Sequence, residues 1–388
     1  VIRAADIVIV GGGVMGCSLA WHLAIQSRGS ASIIIVERDS SYRFASSALS
    51  LSSIRQQFTT PVNIEMSRYT LEILRDPSPL MIEGQAPDFQ FVERGYLFLG
   101  RGDEKAGIEH AYQVQRGCGF DPELTKGPAL AGRYPWLHTE DLAIASHGRE
   151  GEGWFDGYSL LRSLRAAARG KGAELVDDNV VALRRDGANW SVELGKGGAI
   201  ACSHVVNAAG PWAAEIADMA GCILPVRGQK RSVFVVDAPD ADSDWPLVID
   251  PEGFYFRPEG RTFLIGAPAP ADFCSADDFE PDYPVFDEWL WPRLAARAPA
   301  FERLKLLGAW AGHYEMNIFD SNAVVGPSGV QNFWLINGFS GHGLQHALAA
   351  GRGLAELMID GQYRSIDLYP LSLDRLQQIF ASPEAHII

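Results

Sequence analysis

Asp6-Ile7-Val8-Ile9-Val10-Gly11-Gly12-Gly13-Val14-Met15-Gly16, close to the start of the chain, decides the fold. An apolar run ends in a glycine turn. A small-residue amphipathic segment, Cys17 to Ser27, follows, and a second β-rich run, Ser32 to Val36, ends at Glu37. Strand, turn, helix, strand is the order that a dinucleotide-binding unit requires. Gly11 permits the tight turn, Gly13 lets the backbone approach a pyrophosphate, and Gly16 lets helix and strand pack closely. The helix start offers unpaired N–H groups and a positive dipole end to phosphates. Glu37, about 20 residues further on, puts a carboxylate where it can accept from both ribose hydroxyls.

The rest of the chain bounds the partners. With 388 residues, 47% of them apolar, it can bury large cores and is expected to form two domains. It carries 48 Asp and Glu against 33 Lys and Arg, which argues against nucleic acid or an anionic membrane as a main partner. Cys17, Cys118, Cys202, Cys222 and Cys274 are scattered, odd in number and without a C-x-x-C pair, as expected of thiols in a reducing, cytoplasmic setting. No apolar run reaches the ~18 residues of a membrane span. The histidines never group with cysteines at ligand spacing, so no metal site is expected.

Periodicity predicts helices over Thr60–Leu74, 103–116, Tyr158–Ala168, Phe286–Ala298 and Leu344–Asp360. It predicts strands over Phe89–Leu99 with a turn at Arg94-Gly95, over Ala173–Arg184, and as a hairpin of Trp190–Leu194 with Ala199–Ala208. Between Arg231 and Gly266 the pattern is all strand, and Asn332–Asn337 is a further β run. Segments of α/β character at the start, middle and end thus bracket two β-rich insertions. The expected division is a discontinuous cofactor domain of residues 1–86, 146–215 and 320–388, and a substrate domain of residues 87–145 and 216–319.

Three later stretches bear on which dinucleotide is bound. Val205 to Trp212 runs a strand straight into a small-residue turn, Ala208-Ala209-Gly210, that can pass close to a cofactor. Ser46-Ser47-Ala48-Leu49-Ser50-Leu51 is small and polar enough to lie along an isoalloxazine edge. Gly338, Gly341 and Gly343 open the last helix. A second helix start suits a second anion, such as the N1–C2=O locus of a reduced flavin. NAD needs no such feature.

These residues resemble the FAD-dependent D-amino-acid, glycine and sarcosine oxidoreductases, the DAO superfamily. The resemblance rests on Gly11–Gly16 with Glu37, Ser46-Ser47 followed by Ile54-Arg55, Asn207–Trp212, and Gly338–Gly343, in that order. Residues 53–58 and 339–345 look closest to sarcosine- and dimethylglycine-type enzymes, and also to a mitochondrial FAD-dependent oxidoreductase-domain group linked to complex I assembly. Gln229–Ser232 and Phe254–Pro258 look like bacterial D-arginine dehydrogenases. The resemblance implies a glutathione-reductase-type, Rossmann-like FAD domain with an inserted, mainly antiparallel β-sheet substrate domain. It also implies hydride transfer from the C–H beside nitrogen to flavin N5, followed by imine hydrolysis.

The resemblance gives the expected site. Cofactor contacts are placed at Gly11, Gly13, Val14, Met15 and Gly16, at Glu37 and Arg38, and at Ser46, Ser47, Ala48, Ser50 and Leu51. Val180, Ala208, Ala209, Gly210 and Trp212 follow, then Gly338, Gly341, His342, Gly343, Leu344 and Gln345. Arg55 is the first candidate for the substrate carboxylate, because its fork binds a carboxylate bidentately. Tyr255 and Tyr314 are expected at the substrate, with Arg257, His313 and Gln345 as further contacts and His342 as a proton-handling candidate.

Relatives with a covalently held flavin carry its cysteine near Gly312, so FAD is expected to be held without a covalent bond. The electron acceptor is expected to be oxygen, or a quinone or other electron carrier. The competing expectations are an FAD-dependent 2-hydroxy-acid dehydrogenase, for which no convincing base appears, and a flavoprotein with a structural, assembly role.

Overall fold

A computed structural model describes residues 2–268, 273, 275–377 and 383–385. Its first sheet is built from the opening stretch. Strand Ile2–Val10 lies between Ile33–Glu37 and Ala199–Asn207, parallel to both. Glu174–Asp177 extends this parallel sheet on one side and Phe333–Asn337 on the other. Val324–Pro327 closes one edge antiparallel to Phe333–Asn337, and Val180–Asp186 and Asn189–Leu194 form a hairpin against Ala199–Asn207. Ile7, Val8, Ile9 and Val10 are all buried because both faces of the sheet are covered, the Ile7 and Ile9 face by helices and the Val8 and Val10 face by the Val180–Leu194 hairpin together with Ala213, Ile216 and Ala217.

Helix Val14–Gln26 is apolar nearly all round, and it is buried from Val14 to Ala24. It packs between Gly343–Asp360 and Gly157–Gly170. Ser18 Oγ donates to Ala347 O at 2.7 Å, in a crossing so close that a Cβ on Gly351 would strike the Ser18 hydroxyl.

The second sheet has eight strands in the order Lys305–Asn317, Val226–Asp237, Thr262–Gly266, Tyr255–Glu259, Leu247–Ile249, Tyr96–Gly100, Ile144–Gly148, Glu123–Lys126. All its pairings are antiparallel except that of Leu247–Ile249 with Tyr96–Gly100. One face is packed by Phe234, Trp245, Phe256, Phe263 and Phe301. Several expected elements change here. Phe89–Leu99 is strand only from Tyr96, because Val92 makes an isolated bridge to Trp154. Ala173–Arg184 is two strands, broken at Asp178-Asn179 where the chain passes from parallel to antiparallel pairing. Phe286–Ala298 starts as a π-turn, Phe286–Leu290, ahead of the short helix Trp291–Arg297, whose Pro292 has no N–H to donate backwards. The expected boundary at 146 falls inside strand Ile144–Gly148, which belongs wholly to the second sheet.

Helix Pro61–Arg75 links the two sheets' territory. Its start is held by Glu384, whose carboxylate accepts from Thr59 N at 3.0 Å, Thr60 N at 3.0 Å and Asn63 Nδ2 at 3.1 Å. Cys17, Cys118, Cys202 and Cys222 are free thiols, and Cys274 lies outside the described residues. Among the described residues no helix is long and apolar enough to cross a membrane.

Candidate active site between the two sheets

The first sheet's carboxyl end faces the second sheet across an elongated cleft of about 310 Å³. At one end is the glycine turn. Gly11 has φ +104°, and a Cβ there would collide with Ala208 O, so the turn and the strand end at Ala208 close on each other only through glycine. A Cβ on Gly16 would likewise strike Gly11 O. Gly13 caps helix Val14–Gln26 without any side-chain hydrogen bond, leaving the helix start open to the cleft. Val14 N donates to Ser47 Oγ at 3.1 Å, joining the turn to the Ser46–Leu49 helix. Glu37 accepts from Gly12 N at 2.7 Å and Asp39 N at 2.9 Å, and burial raises its carboxyl above the usual range. The Arg38 guanidinium lies 3.5 Å from the Trp212 ring.

Most of the expected cofactor residues line this cleft: Gly11, Gly13, Val14, Met15, Glu37, Arg38, Ser46, Ser47, Ser50, Leu51 and Val180 on one part, and Ala208, Ala209, Gly210, Trp212, Gly341, Gly343 and Leu344 on the other. Five do not, and each has a physical reason; one of them, His342, faces a second chamber together with Gln345. Gly16 lies beneath the turn, against Gly11. Ala48 packs on the core side of its short helix. Gly338 turns against Val226 and Asn317. Gln345 spends its side-chain oxygen on Arg55 N at 2.9 Å and Ser67 Oγ at 3.1 Å, behind the cleft wall.

The other end of the cleft is walled by the second sheet. Ser46 Oγ donates to His313 O at 2.6 Å and Trp310 Nε1 to Leu49 O at 2.9 Å, so the Ser46–Leu49 helix is fastened to strand Lys305–Asn317. Tyr255 and Tyr314 both face the cleft. Each is seated by a glycine: a Cβ on Gly266 would strike the Tyr255 ring, and one on Gly341, at φ +90°, would strike the Tyr314 ring. Burial raises both phenols above their ordinary value, so both hydroxyls remain protonated and able to donate.

Beyond the two tyrosines is a second chamber of about 30 Å³. Arg55 and His342 line this chamber rather than the main cleft. Arg55 is 1% exposed; it donates to Gln57 O, meets His342 Nε2 at 3.0 Å and lies 4.0 Å from the Phe58 ring. His342 also packs edge-on against Phe58. Arg257 does not reach either space. It donates to Leu51 O at 3.0 Å and pairs with Glu259, over the Trp154 ring, and so braces the Ser50–Ser52 turn. His313 lines the cleft, with Nε2 2.7 Å from Asp278 O and Nδ1 without a hydrogen-bond partner.

Sequence reasoning missed Arg231. It lines the cleft, is 7% exposed, and its Nε and Nη1 have no hydrogen-bond partner. Its one signal was a position in the basic half of strand Val226–Asp237, which also carries Arg227 and Lys230, so nothing in the sequence singled it out from them. Glu315, in the wall beside the glycine loop, was missed as well. No group of three or more potential metal ligands occurs among the described residues.

The turn, the open helix start, the unpartnered Trp212 Nε1 and Arg231 donors and the unpartnered His313 Nδ1 acceptor fit an extended polar cofactor lying along this cleft. The fold and cleft define an FAD-binding oxidoreductase. The chain matches the model of the FAD dependent oxidoreductase family, DAO, over residues 6–357, and it belongs to that family. It is 39% identical to FAD-dependent oxidoreductase domain-containing protein 1 of Xenopus laevis, across 96% of this chain and 82% of that protein. It is 27% identical to the mitochondrial dimethylglycine dehydrogenase of Mus musculus, across 92% of this chain and 43% of that protein. Among solved structures, L-proline dehydrogenase from P. horikoshii superposes with a TM-score of 0.83 at 26% identity, covering 97% of this chain and 99% of that one. Glycine oxidase from Geobacillus kaustophilus shares the fold, with a TM-score of 0.80 at 24% identity over 96% of this chain and 98% of its own. The chain is thus a flavoprotein oxidoreductase that binds FAD.

Proposed function

We propose that the chain oxidises a small amino acid or secondary amine bearing a carboxylate, at the C–H bond beside nitrogen, and that water hydrolyses the imine formed. Bound FAD supplies the hydride acceptor, and the protein orients the substrate. Arg231 carries this assignment. A guanidinium so far removed from water, with no carboxylate of the chain against it among the described residues, costs several kcal/mol unless an anion meets it. A substrate carboxylate is such an anion, and the Arg fork suits it. The Tyr255 and Tyr314 hydroxyls, beside Arg231, add donors that fix the orientation. The relatives named for dimethylglycine and proline support an N-substituted amino acid.

Arg55 takes a different part from the one expected. Its partners at Gln57 and His342 make it a brace for the Ser53–Phe58 segment and a source of positive potential behind Tyr314. FAD is held without a covalent bond in this reading. Gly312, near which the resemblance would put a flavin-linking cysteine, is tightly packed: a Cβ there would come within 2.9 Å of Leu49 Cβ.

The test is anaerobic addition of sarcosine, dimethylglycine, L-proline, glycine, D-amino acids and lactate to the FAD-loaded protein. Bleaching of the visible flavin band by an N-substituted or primary amino acid is the expected result. Bleaching by lactate alone would replace this reading with hydroxy-acid oxidation. Bound flavin that nothing in the panel bleaches would leave the assembly role in its place. Admitting air to the bleached protein then separates an oxygen-using enzyme from one that needs a carrier.

A further inference from the structure

Glu315 is a carboxylate with no role in the chemistry above. It sits on strand Lys305–Asn317 opposite Gly228, in the wall of the cofactor cleft. One oxygen accepts from Gly338 N at 3.1 Å, and Phe339 N also donates to the carboxylate. Its Oε1 lies 3.7 Å from where a Cβ on Gly343 would stand, at the first residue of helix Gly343–Asp360. The carboxylate therefore occupies the positive end of that helix, the place suited to the charge that a flavin gains on reduction.

Among the described residues no cation is paired with it. On the paired strand, Lys230 is joined to Asp278 at 2.6 Å, Arg231 lies over Tyr314, and Arg227 faces Phe273. On its own strand, His313 is turned to Asp278 O, and Tyr314 keeps its proton. On the glycine loop, His342 faces Arg55, and the first helix brings the uncharged Met15 against Gly343. Two negative charges would thus have to share one helix start in the half-buried wall of the cleft, which disfavours ionising both.

We propose that Glu315 is a redox-linked proton acceptor: when the bound flavin gains negative charge, the Glu315 carboxylate takes a proton from solvent. The balance is simple. Two electrons and one proton go to the flavin, and a second proton closes the carboxyl O–H of Glu315; on reoxidation both protons leave. Burial already pushes the Glu315 carboxyl up to about 7, so near pH 8 it is largely ionised while the flavin is oxidised. The proposal requires bound FAD and is independent of the amine substrate.

The experiment reduces the FAD-loaded protein coulometrically through a viologen mediator, with no substrate, in weakly buffered solution at about pH 8 containing an indicator dye. The wild-type protein is expected to take up two protons per FAD and the Glu315→Gln variant one. Equal uptake by both overturns the proposal. Should the variant fail to hold FAD, the infrared difference spectrum of the wild-type protein decides. A protonated-carboxyl C=O band that appears on reduction and shifts in D2O supports Glu315, and its absence refutes it.

Discussion

The guanidinium carbon of Arg231 lies 4.6 Å from the ring centroid of Tyr314, on neighbouring strands of the second sheet. The geometry is imposed from below. Arg231 is paired across the strands with Gly312, whose missing side chain lets Leu49 pack close to the strand. Tyr314 is in turn pressed onto Gly341. The ring face holds the cation in place without supplying a counter-charge, so the guanidinium is oriented toward the cleft with its remaining donors unspent.

Replacing Arg231 by Met should leave FAD content unchanged and lower kcat/KM for a carboxylated amine by at least about 30-fold, the effect of removing about 2 kcal/mol of charged hydrogen bonding. Stopped-flow reduction of the flavin measures it, with an amine lacking a carboxylate as control. Equal losses for both amines would show that Arg231 does not hold the carboxylate.

Gly16→Ala should act on cofactor loading. The added methyl group meets Gly11 O, which belongs to backbone that is itself locked against Ala208. Either the turn opens or the helix retreats, and both spoil the phosphate seat. The FAD-to-protein ratio of the purified variant is expected to fall well below that of wild type. An unchanged ratio with unchanged affinity would mean that the turn tolerates the displacement.

Gly266→Ala separates substrate orientation from cofactor binding. The methyl group would strike the Tyr255 ring, which lies across Gly266 on the adjacent strand. A displaced hydroxyl should cost on the order of 10-fold in flavin reduction rate while FAD stays bound. A rate matching wild type, in a variant whose FAD content is normal, would remove Tyr255 from the site.

Acid should destabilise the fold through its buried histidines. Burial, helped by the nearby Arg55 charge, pushes His346 down to about 3, and burial pushes His22 and His147 down to about 4. A folded value below the ordinary 6.5 means that the neutral ring is favoured in the native state. The contribution is therefore complete above pH 6.5 and is lost as pH falls toward the folded values, at about 1.4 kcal/mol per pH unit for each such group. Denaturant unfolding between pH 7 and 4.5 should show a shallower decline for His346→Gln than for wild type. Parallel declines would exclude His346.

The nucleotide half was legible because its signals are local. Gly11, Gly13, Gly16 and Glu37 sit at fixed spacing between strands whose burial on both faces makes them continuously apolar. The second sheet was only partly legible. Ile144–Gly148 and Glu123–Lys126 are short, polar or glycine-bearing, and they exist because they pair with Tyr96–Gly100 and each other. The site residues divide in the same way. Tyr255 could be placed from an alternating strand, but the direction of Arg231 depends on Tyr314, far away in sequence. Arg257 shares Tyr255's strand parity, yet the Leu51 carbonyl draws its side chain out of the cleft.

The glycine loop that closes the cleft and the carboxylate of Glu384 that fastens the start of helix Pro61–Arg75 both come from the last part of the chain. The phosphate turn comes from the first. During synthesis, then, the phosphate turn emerges well before the loop that completes the cofactor's seat. A chain interrupted before Gly338 would carry an intact dinucleotide signature and a cleft without one wall, so the signature alone does not mark a finished flavin site.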